Sequence, residues 1–338
     1  MAQKDKLMFR EKLITTEELS RYGPFSSLNE QALTLVSQQK SIWDLPGKNF
    51  NALNRVKTKS FDFRHFKILT QFNPERIRSS AAKTDAKSIA ERPCFLCINN
   101  LPTIQKGINF RDKYLILINP FPIFEKHLTI PSLRHEPQLI KPYLEDLLDL
   151  SGSLNSFTVF YNGPKCGASA PDHFHFQAGI KGFLPIENEL SDLEKDYAEV
   201  LLQNQKIKIT AVENYLRRFI AVSSDDKEEI IFQLRKIIDL LGSETNQEPM
   251  LNILSSYENG KWRVILFPRA KQRSSHFFET GDKQIIASPA AVELGGVLVL
   301  PREEDFNKIT KSKLTEIYGE ITLSKDGFNK LKNNLRNE

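Results

Sequence analysis

Residues 170–179 read APDHFHFQAG, and two of the chain's six histidines fall in this stretch. Successive side chains on a strand point to opposite faces, so His173, His175 and Gln177 share one face and Phe174 and Phe176 the other. The phenylalanines can enter a core, which leaves the polar face for water or a ligand. The loop in front, YNGPKCGASAP (161–171), carries two glycines, small side chains, and Asn162, Lys165 and Ser169. Glycines let backbone approach a ligand closely, and free N–H groups with Ser, Asn and Lys make an anion cradle. A plain surface turn feeding a surface strand is the competing reading.

A second group of chemically capable residues lies upstream. RPCFLC (92–97) holds a C-x₂-C pair, the usual spacing of two ligands of tetrahedral zinc. A closed site needs two more, and His135 in PSLRHEP and His173 are the candidates. Cys94, Cys97, His135 and His173 would form a Cys₂His₂ set with gaps longer than a zinc finger's. Two reduced cysteines buried as small hydrophobes or a redox pair compete, although no thioredoxin-like βαβ pattern follows. The chain has three cysteines, an odd and low count that argues against a disulfide framework.

These residues need elements to hold them. FDFRHFKILTQFN (61–73) alternates and is aromatic, which predicts a strand, and PERIRSSAAKTDAKSIAERP (74–93) reads as a loop with one helical turn. KYLILINPFPIFEKHLTIPS (113–132) predicts two strands joined at NPFP, PQLIKPYLEDLLDLSGSL (137–154) an amphipathic helix, and FTVFYNG (157–163) a strand before the histidine strand. The second half partly echoes this order. A long helical region, about 186–243, precedes MLNILSSYENGKWRVILFPRA (250–270), two β-rich runs flanking the hairpin signal ENGK. AAVELGGVLVLPREEDF (290–306) suggests strand, loop and helix, and LTIPS (128–132) and LVLPR (298–302) suggest matching positions of two related halves.

The expected organisation is a helical and extended arm over 1–60, a catalytic half over 61–185, and a second half over 186–338 that completes the substrate site. At 338 residues, 40% hydrophobic and 26% charged, the chain can bury a sizeable core. The net charge of +5 suits small anions and is too mild and dispersed to indicate nucleic acid. No apolar run reaches the roughly 20 residues of a spanning helix, and MAQKDKLMFREKL has charges where a signal peptide needs an apolar centre. The expected compartment is the cytoplasm, with no membrane partner.

Together these residues resemble the histidine-triad superfamily, in its branch of galactose-1-phosphate uridylyltransferases, diadenosine tetraphosphate phosphorylases and GDP-hexose phosphorylases. GASAPDHFHFQ is similar to that branch's His-x-His-x-Gln strand after a Gly/Ser-rich loop, with one residue more between Ser169 and His173. HFQA with SPAAVELGGVLVLPREEDF (288–306) looks most like the GDP-hexose phosphorylases. FNPERIRSSAAK (72–83) resembles the branch's upstream nucleotide-binding stretch, which implies nucleotide contacts for Arg76, Ser79, Ser80 and Lys83. The resemblance implies an α+β fold of two histidine-triad-like halves, mainly antiparallel sheet with flanking helices. It makes His175 the nucleophile and Cys94, Cys97, His135 and His173 ligands of a structural zinc, with Gln177 in place of a third histidine. His127 matches a superfamily histidine near the active site, or is a hydrogen-bonded strand residue.

The implied reaction is nucleotidyl transfer or phosphorolysis on a nucleoside diphosphate sugar or dinucleoside polyphosphate. It passes through a nucleotidyl-histidine, with phosphate or a sugar phosphate as acceptor. Gln177 can donate a hydrogen bond but cannot act as a base, which suits phosphate better than water. Asn162, Lys165 and Ser169 are the phosphate-binding candidates. Arg269, Lys271, Arg273 and His276, in KWRVILFPRAKQRSSHF (261–277), are candidates to reach the leaving phosphate or acceptor, against the reading of a solvated basic loop. A hydrolase of the same superfamily and a nucleotide-binding regulator without catalysis are the competing functions, and a homodimer is compatible with all three.

Overall fold

The structure, a computed structural model, describes residues 3–77, 85–242 and 248–337. Its strands in the first half are β1 (Lys57–Asp62), β2 (Lys67–Phe72), β3 (Ile108–Phe110), β4 (Tyr114–Ile118), β5 (His127–Pro131), β6 (Phe157–Asn162) and β7 (His175–Ile180). In the second half they are β8 (Ala198–Gln203), β9 (Ile207–Val212), β10 (Phe219–Ser224), β11 (Leu251–Glu258), β12 (Lys261–Pro268) and β13 (Val297–Leu300).

Ten of them form one sheet in the order β3-β4-β5-β7-β6-β11-β12-β10-β9-β8, antiparallel at every pairing. The order is a scheme used twice. Three strands run in sequence, a helix follows (Leu144–Ser153 or Lys227–Gly242), and of the last two strands the later one inserts beside the third. The two runs meet edge to edge where β6 pairs with β11. The fold is therefore α+β with mainly antiparallel sheet and flanking helices.

Two details differ from the sequence reading of the repeat. LTIPS lies on β5, whose counterpart by sheet position is β10, whereas LVLPR lies on β13 in a separate three-stranded sheet with β1 and β2. The region 186–243 is not one helical stretch. It is a helix over Pro185–Asp196, then β8, β9 and β10, then the helix Lys227–Gly242. IKITAV on β9 alternates in period two, and β9 gains partners on both sides, so pairing outweighs the helix-forming Lys and Gln around it.

Both sheet faces are covered, which is why the central strands carry apolar side chains on both faces. On one face Phe157, Val159, Tyr161, Phe174 and Phe176 join the helices Leu144–Ser153 and Lys227–Gly242. On the other, Phe160 joins the helices Pro185–Asp196 and Lys311–Ile321 and strand β13. Each such phenylalanine or leucine contributes about 1.5–3 kcal/mol by leaving water. The stretch 61–73 spans a hairpin and not a single strand. Its turn closes with Phe63 N–H donating to the Phe66 carbonyl at 2.8 Å and the two rings stacked at 4.9 Å. No Gly, Pro or Asn marks that turn. At ENGK, Asn259 and Gly260 both take positive φ (51° and 79°), as a two-residue type I′ hairpin requires. The helix expected from 137 begins at Leu144, after a 3₁₀ turn over Lys141–Tyr143 that Pro142 opens.

Candidate active site and metal centre

β7 starts at His175, so His173 stands just outside the strand, on the bend that enters it. The two histidines consequently face different neighbours. His173 Nε2 donates to the Ser132 carbonyl at 2.8 Å, which leaves Nδ1 as the lone-pair nitrogen, 3.3 Å from Cys94 Sγ and 3.5 Å from Cys97 Sγ. His135 Nδ1 lies 3.2 Å from Cys97 Sγ, with Asp172 Oδ2 3.5 Å from its Nε2. The four ligand atoms of Cys94, Cys97, His135 and His173 all lie within 4.8 Å of one another. Zinc at about 2.3 Å from sulfur and about 2.0 Å from nitrogen needs tetrahedral S–N edges of about 3.5 Å. The donor set fits a metal ion, and the carbonyl and carboxylate behind the two imidazoles are the outer partners such ligands use. Burial and the neighbouring Cys94 push the Cys97 thiol up to about 12, and a bound cation favours the thiolate instead.

His175 is buried. Its Nδ1–H donates to the His173 carbonyl at 2.8 Å, so Nε2 carries the lone pair. Burial holds its pKa down to about 4, and the ring is neutral near pH 7. Gln138, which the sequence reading did not single out, clamps the backbone around it. Its Oε1 accepts from His175 N–H at 2.8 Å, and its Nε2 donates to the carbonyls of His175 at 2.9 Å and Asn162 at 3.1 Å. His175 opens onto a cavity of about 510 Å³.

Of the expected residues, Gln177, Asn162, Ser169 and Arg76 also line this cavity. Arg92, Asn119, Glu293 and Trp43, which the sequence reading did not single out, line it as well. Gly167 lines it too, at φ 96°, where a Cβ would lie 2.5 Å from Ala290 Cβ. Only glycine closes the loop against the 288–293 segment there.

The orientation of Gln177 follows from its neighbours. Ile123 N–H donates to His127 Nδ1 at 3.2 Å, so the proton of His127 is on Nε2 and goes to Gln177 Oε1 at 3.1 Å. Asn119 Oδ1 accepts from Phe121 N–H at 2.9 Å, so its Nδ2 is the group 3.4 Å from the same Gln177 oxygen. With two donors on Oε1, Gln177 presents its NH₂ to the cavity. His127 is thus a hydrogen-bonded strand residue that also orients the site.

Comparison with known proteins agrees with this layout. Residues 35–180 match the family model described as a domain of unknown function (DUF4922), and residues 192–338 match the one described as GDPGP1-like, C-terminal domain. GDP-L-galactose phosphorylase 2 of Arabidopsis thaliana is 28% identical over 182 residues, 51% of this chain and 38% of that protein, so the match spans well under half of the relative. The crystal structure of yeast Ap4A phosphorylase matches with a TM-score of 0.52 at 15% identity, over 82% of this chain and 93% of that one. Its complex with AMP matches with a TM-score of 0.50 at 15% identity, over 83% and 96%. Residues 192–338 thus carry a GDPGP1-like C-terminal domain, and the chain as a whole shares the fold of the Ap4A phosphorylase.

The His-x-His-x-Gln segment runs into β7, and β12, its counterpart by sheet position, reads KWRVILFP without a histidine. The basic residues around this cavity divide into two groups. Arg76 donates from Nη1 to the Phe121 carbonyl at 2.6 Å and Arg92 from Nη2 to the Ser169 carbonyl at 2.7 Å, and in both the buried Nε has no hydrogen-bond partner among the described residues. Burial lowers Arg76 to about 10, with the charge of Glu293 acting the other way, so it stays cationic near neutrality. The second group stands away from the cavity. Arg269 is buried behind its wall, with Nη1 on Asn252 Oδ1 at 2.6 Å and the Pro289 carbonyl at 3.0 Å. Arg273 stands one residue back, Nε 3.1 Å from the Oγ of cavity-lining Ser288. Lys271 pairs with Glu320 at 3.4 Å and His276 with Glu316 at 2.8 Å, and Lys165 is exposed outside the lining. Ser79, Ser80 and Lys83 lie outside the described residues.

Proposed function

We propose that this protein is a nucleotidyltransferase of the phosphorylase type, acting on a nucleoside diphosphate sugar or a dinucleoside polyphosphate, with His175 as the nucleophile. The observation that carries the reading is the His175 Nδ1–H bond to the His173 carbonyl, which leaves Nε2 as the lone-pair nitrogen of a ring on the cavity wall. Nε2 attacks the α-phosphorus and forms a P–N bond. The bond from phosphorus to the bridging oxygen breaks, and that oxygen takes the electron pair as the leaving group departs. Phosphate or a sugar phosphate then attacks phosphorus, the P–N bond breaks, and His175 regains its lone pair. Gln177 Nε2 and the guanidinium groups of cavity-lining Arg76 and Arg92 are the donors for the phosphoryl oxygens. Gln177 has no basic site with which to activate water, which favours phosphate as acceptor over hydrolysis.

Zinc is the ion that the Cys₂His₂ donors fit best. When bound it supplies a structural link and a charge that keeps Cys94 and Cys97 as thiolates. His173 then ties that centre to the carbonyl that fixes the His175 tautomer. We read 1–60 as an arm, 61–185 as the catalytic half and 186–338 as the half that completes the site. The repeated strand scheme and the placement of Ser288 and Glu293 on the cavity support that division. Free cysteines suit the cytoplasm.

The test is turnover of a panel of nucleoside diphosphate sugars and dinucleoside polyphosphates with and without phosphate. The proposal expects a nucleoside diphosphate from at least one substrate, only when phosphate is added. Turnover in water alone, unchanged by phosphate, would make the protein a hydrolase. Binding without turnover would make it a nucleotide-binding regulator.

A further inference from the structure

The second half contributes no histidine to the site, yet it reaches the phosphoryl position through one hydrogen-bonded chain. Asn252 on β11 sits in register opposite Asn162 on β6. Asn252 Nδ2 donates to Asn162 Oδ1 at 2.8 Å and to the Cys166 carbonyl at 2.8 Å. The backbone N–H of Ala291 donates to the same Asn162 oxygen at 2.9 Å. On its other side, Asn252 Oδ1 accepts from Arg269 Nη1 at 2.6 Å. A guanidinium is a donor only, so the Asn252 amide has one workable orientation. Arg269 cannot turn away, because its remaining N–H groups are held by the carbonyls of Ile321, Pro289, Lys271 and Gln272 at 2.9–3.1 Å.

We infer that Arg269 and Asn252 are positioning residues whose task is to fix the Asn162 side chain with its NH₂ toward the phosphoryl group; the inference rests on the reaction proposed above. Two donors on Asn162 Oδ1 leave Nδ2 as the atom for the cavity wall, which Asn162 and His175 both line. Gln138 bridges the carbonyls of the same two residues, so donor and nucleophile are held in one frame. Gln177 is oriented from the first half through His127, and Asn162 from the second half through Arg269. The two amide donors approach His175 from neighbouring strands, and neither can flip without leaving a donor facing a donor.

Asn252→Asp tests this. The carboxylate keeps an oxygen for Arg269 and turns an acceptor toward Asn162 Oδ1, so the Asn162 amide loses its preference for presenting NH₂. Nucleotidylation is expected to fall about a hundredfold, the loss typical of one missing oxyanion donor. The same change in an Asn162→Ala background is expected to cost almost nothing further, because there is no amide left to orient. Asn252→Ala, which removes the donor without adding an acceptor, is expected to fall between wild type and Asn252→Asp, and it covers the case in which the contact with the Cys166 carbonyl unfolds the aspartate variant. An equal loss in both backgrounds would overturn the inference, since a merely structural role is indifferent to Asn162. A second readout is independent of turnover. The side-chain ¹⁵N–¹H resonances of Asn162 should shift in Asn252→Asp as one amide proton gains a carboxylate acceptor, and unchanged resonances would also overturn it. A wild type that turns over no substrate counts against the proposed reaction instead, and the relay is then decided on the Asn162 resonances.

Discussion

The buried His127 gives a quantitative prediction. Its Nδ1 already accepts a backbone N–H and its Nε2 already donates to Gln177, so an added proton on Nδ1 would face a donor. Burial first, and then the charge of Arg76, hold its pKa down to about 3. In an unfolded chain a histidine titrates near 6.5. As pH falls from about 7 to about 5, the unfolded state therefore takes up this proton and the folded state does not. Stability is fully kept above the unfolded value and is lost progressively below it, down to the folded value. The shift exposed by about pH 5 is roughly 1.5 units, or about 2 kcal/mol. The figure barely depends on the folded value as long as that stays below about 4. His127→Gln removes the group, so the comparison is between slopes. Urea unfolding at about pH 7, 6 and 5 should show wild type losing about 2 kcal/mol more than the variant across that range, whatever the variant's stability at neutral pH. Parallel slopes would mean that His127 is solvated or protonated in the folded protein, and the fixed orientation of Gln177 would go with it.

Gln177→Glu replaces the donor NH₂ with a carboxylate oxygen facing the phosphoryl group. A fall of about a hundredfold or more in kcat is expected from steady-state rates with the substrate that turns over. Cys97→Ser should lower bound metal measured by elemental analysis and lower the melting temperature, and full metal content in that variant would remove Cys97 from the ligand set. Gly167→Ala meets Ala290 Cβ at 2.5 Å from a positive-φ backbone. Thermal unfolding should show it less stable by about 1–3 kcal/mol, with activity reduced because Ser169 and Ala290 flank that contact.

Much of the geometry around the Cys₂His₂ cluster and His175 was legible because short spacings encode it. C-x₂-C brings two sulfurs together locally, and the His-x-His pair survives even though β7 begins only at His175. The bend there sends His173 to the cysteines more effectively than strict alternation would. Gln138 and Asn252 were not legible, because each acts through hydrogen bonds to residues 17 to 90 positions away, and the tautomer of His127 rests on the backbone N–H of Ile123, which no side-chain spacing encodes. Arg269 illustrates the same limit in reverse. Its charge suggested a phosphate contact, but four of its five bonds go to backbone carbonyls, a role that composition cannot signal. The strands β8 to β10 went unread because their short apolar runs sit between helix-forming residues, and only pairing with neighbours decides them. The Phe63–Phe66 turn was missed because stacked rings replace the usual turn residues.

The account's central claim is that His175 carries the nucleotide. Incubation with an α-³²P-labelled nucleoside diphosphate sugar or dinucleoside polyphosphate, quenched by alkaline denaturation because acid cleaves a P–N bond, followed by peptide mapping, tests it directly. The account expects label on the peptide containing His175, discharged by phosphate and absent in His175→Ala. Label that persists in His175→Ala, or turnover of the same substrate with no label at any time point, would contradict it.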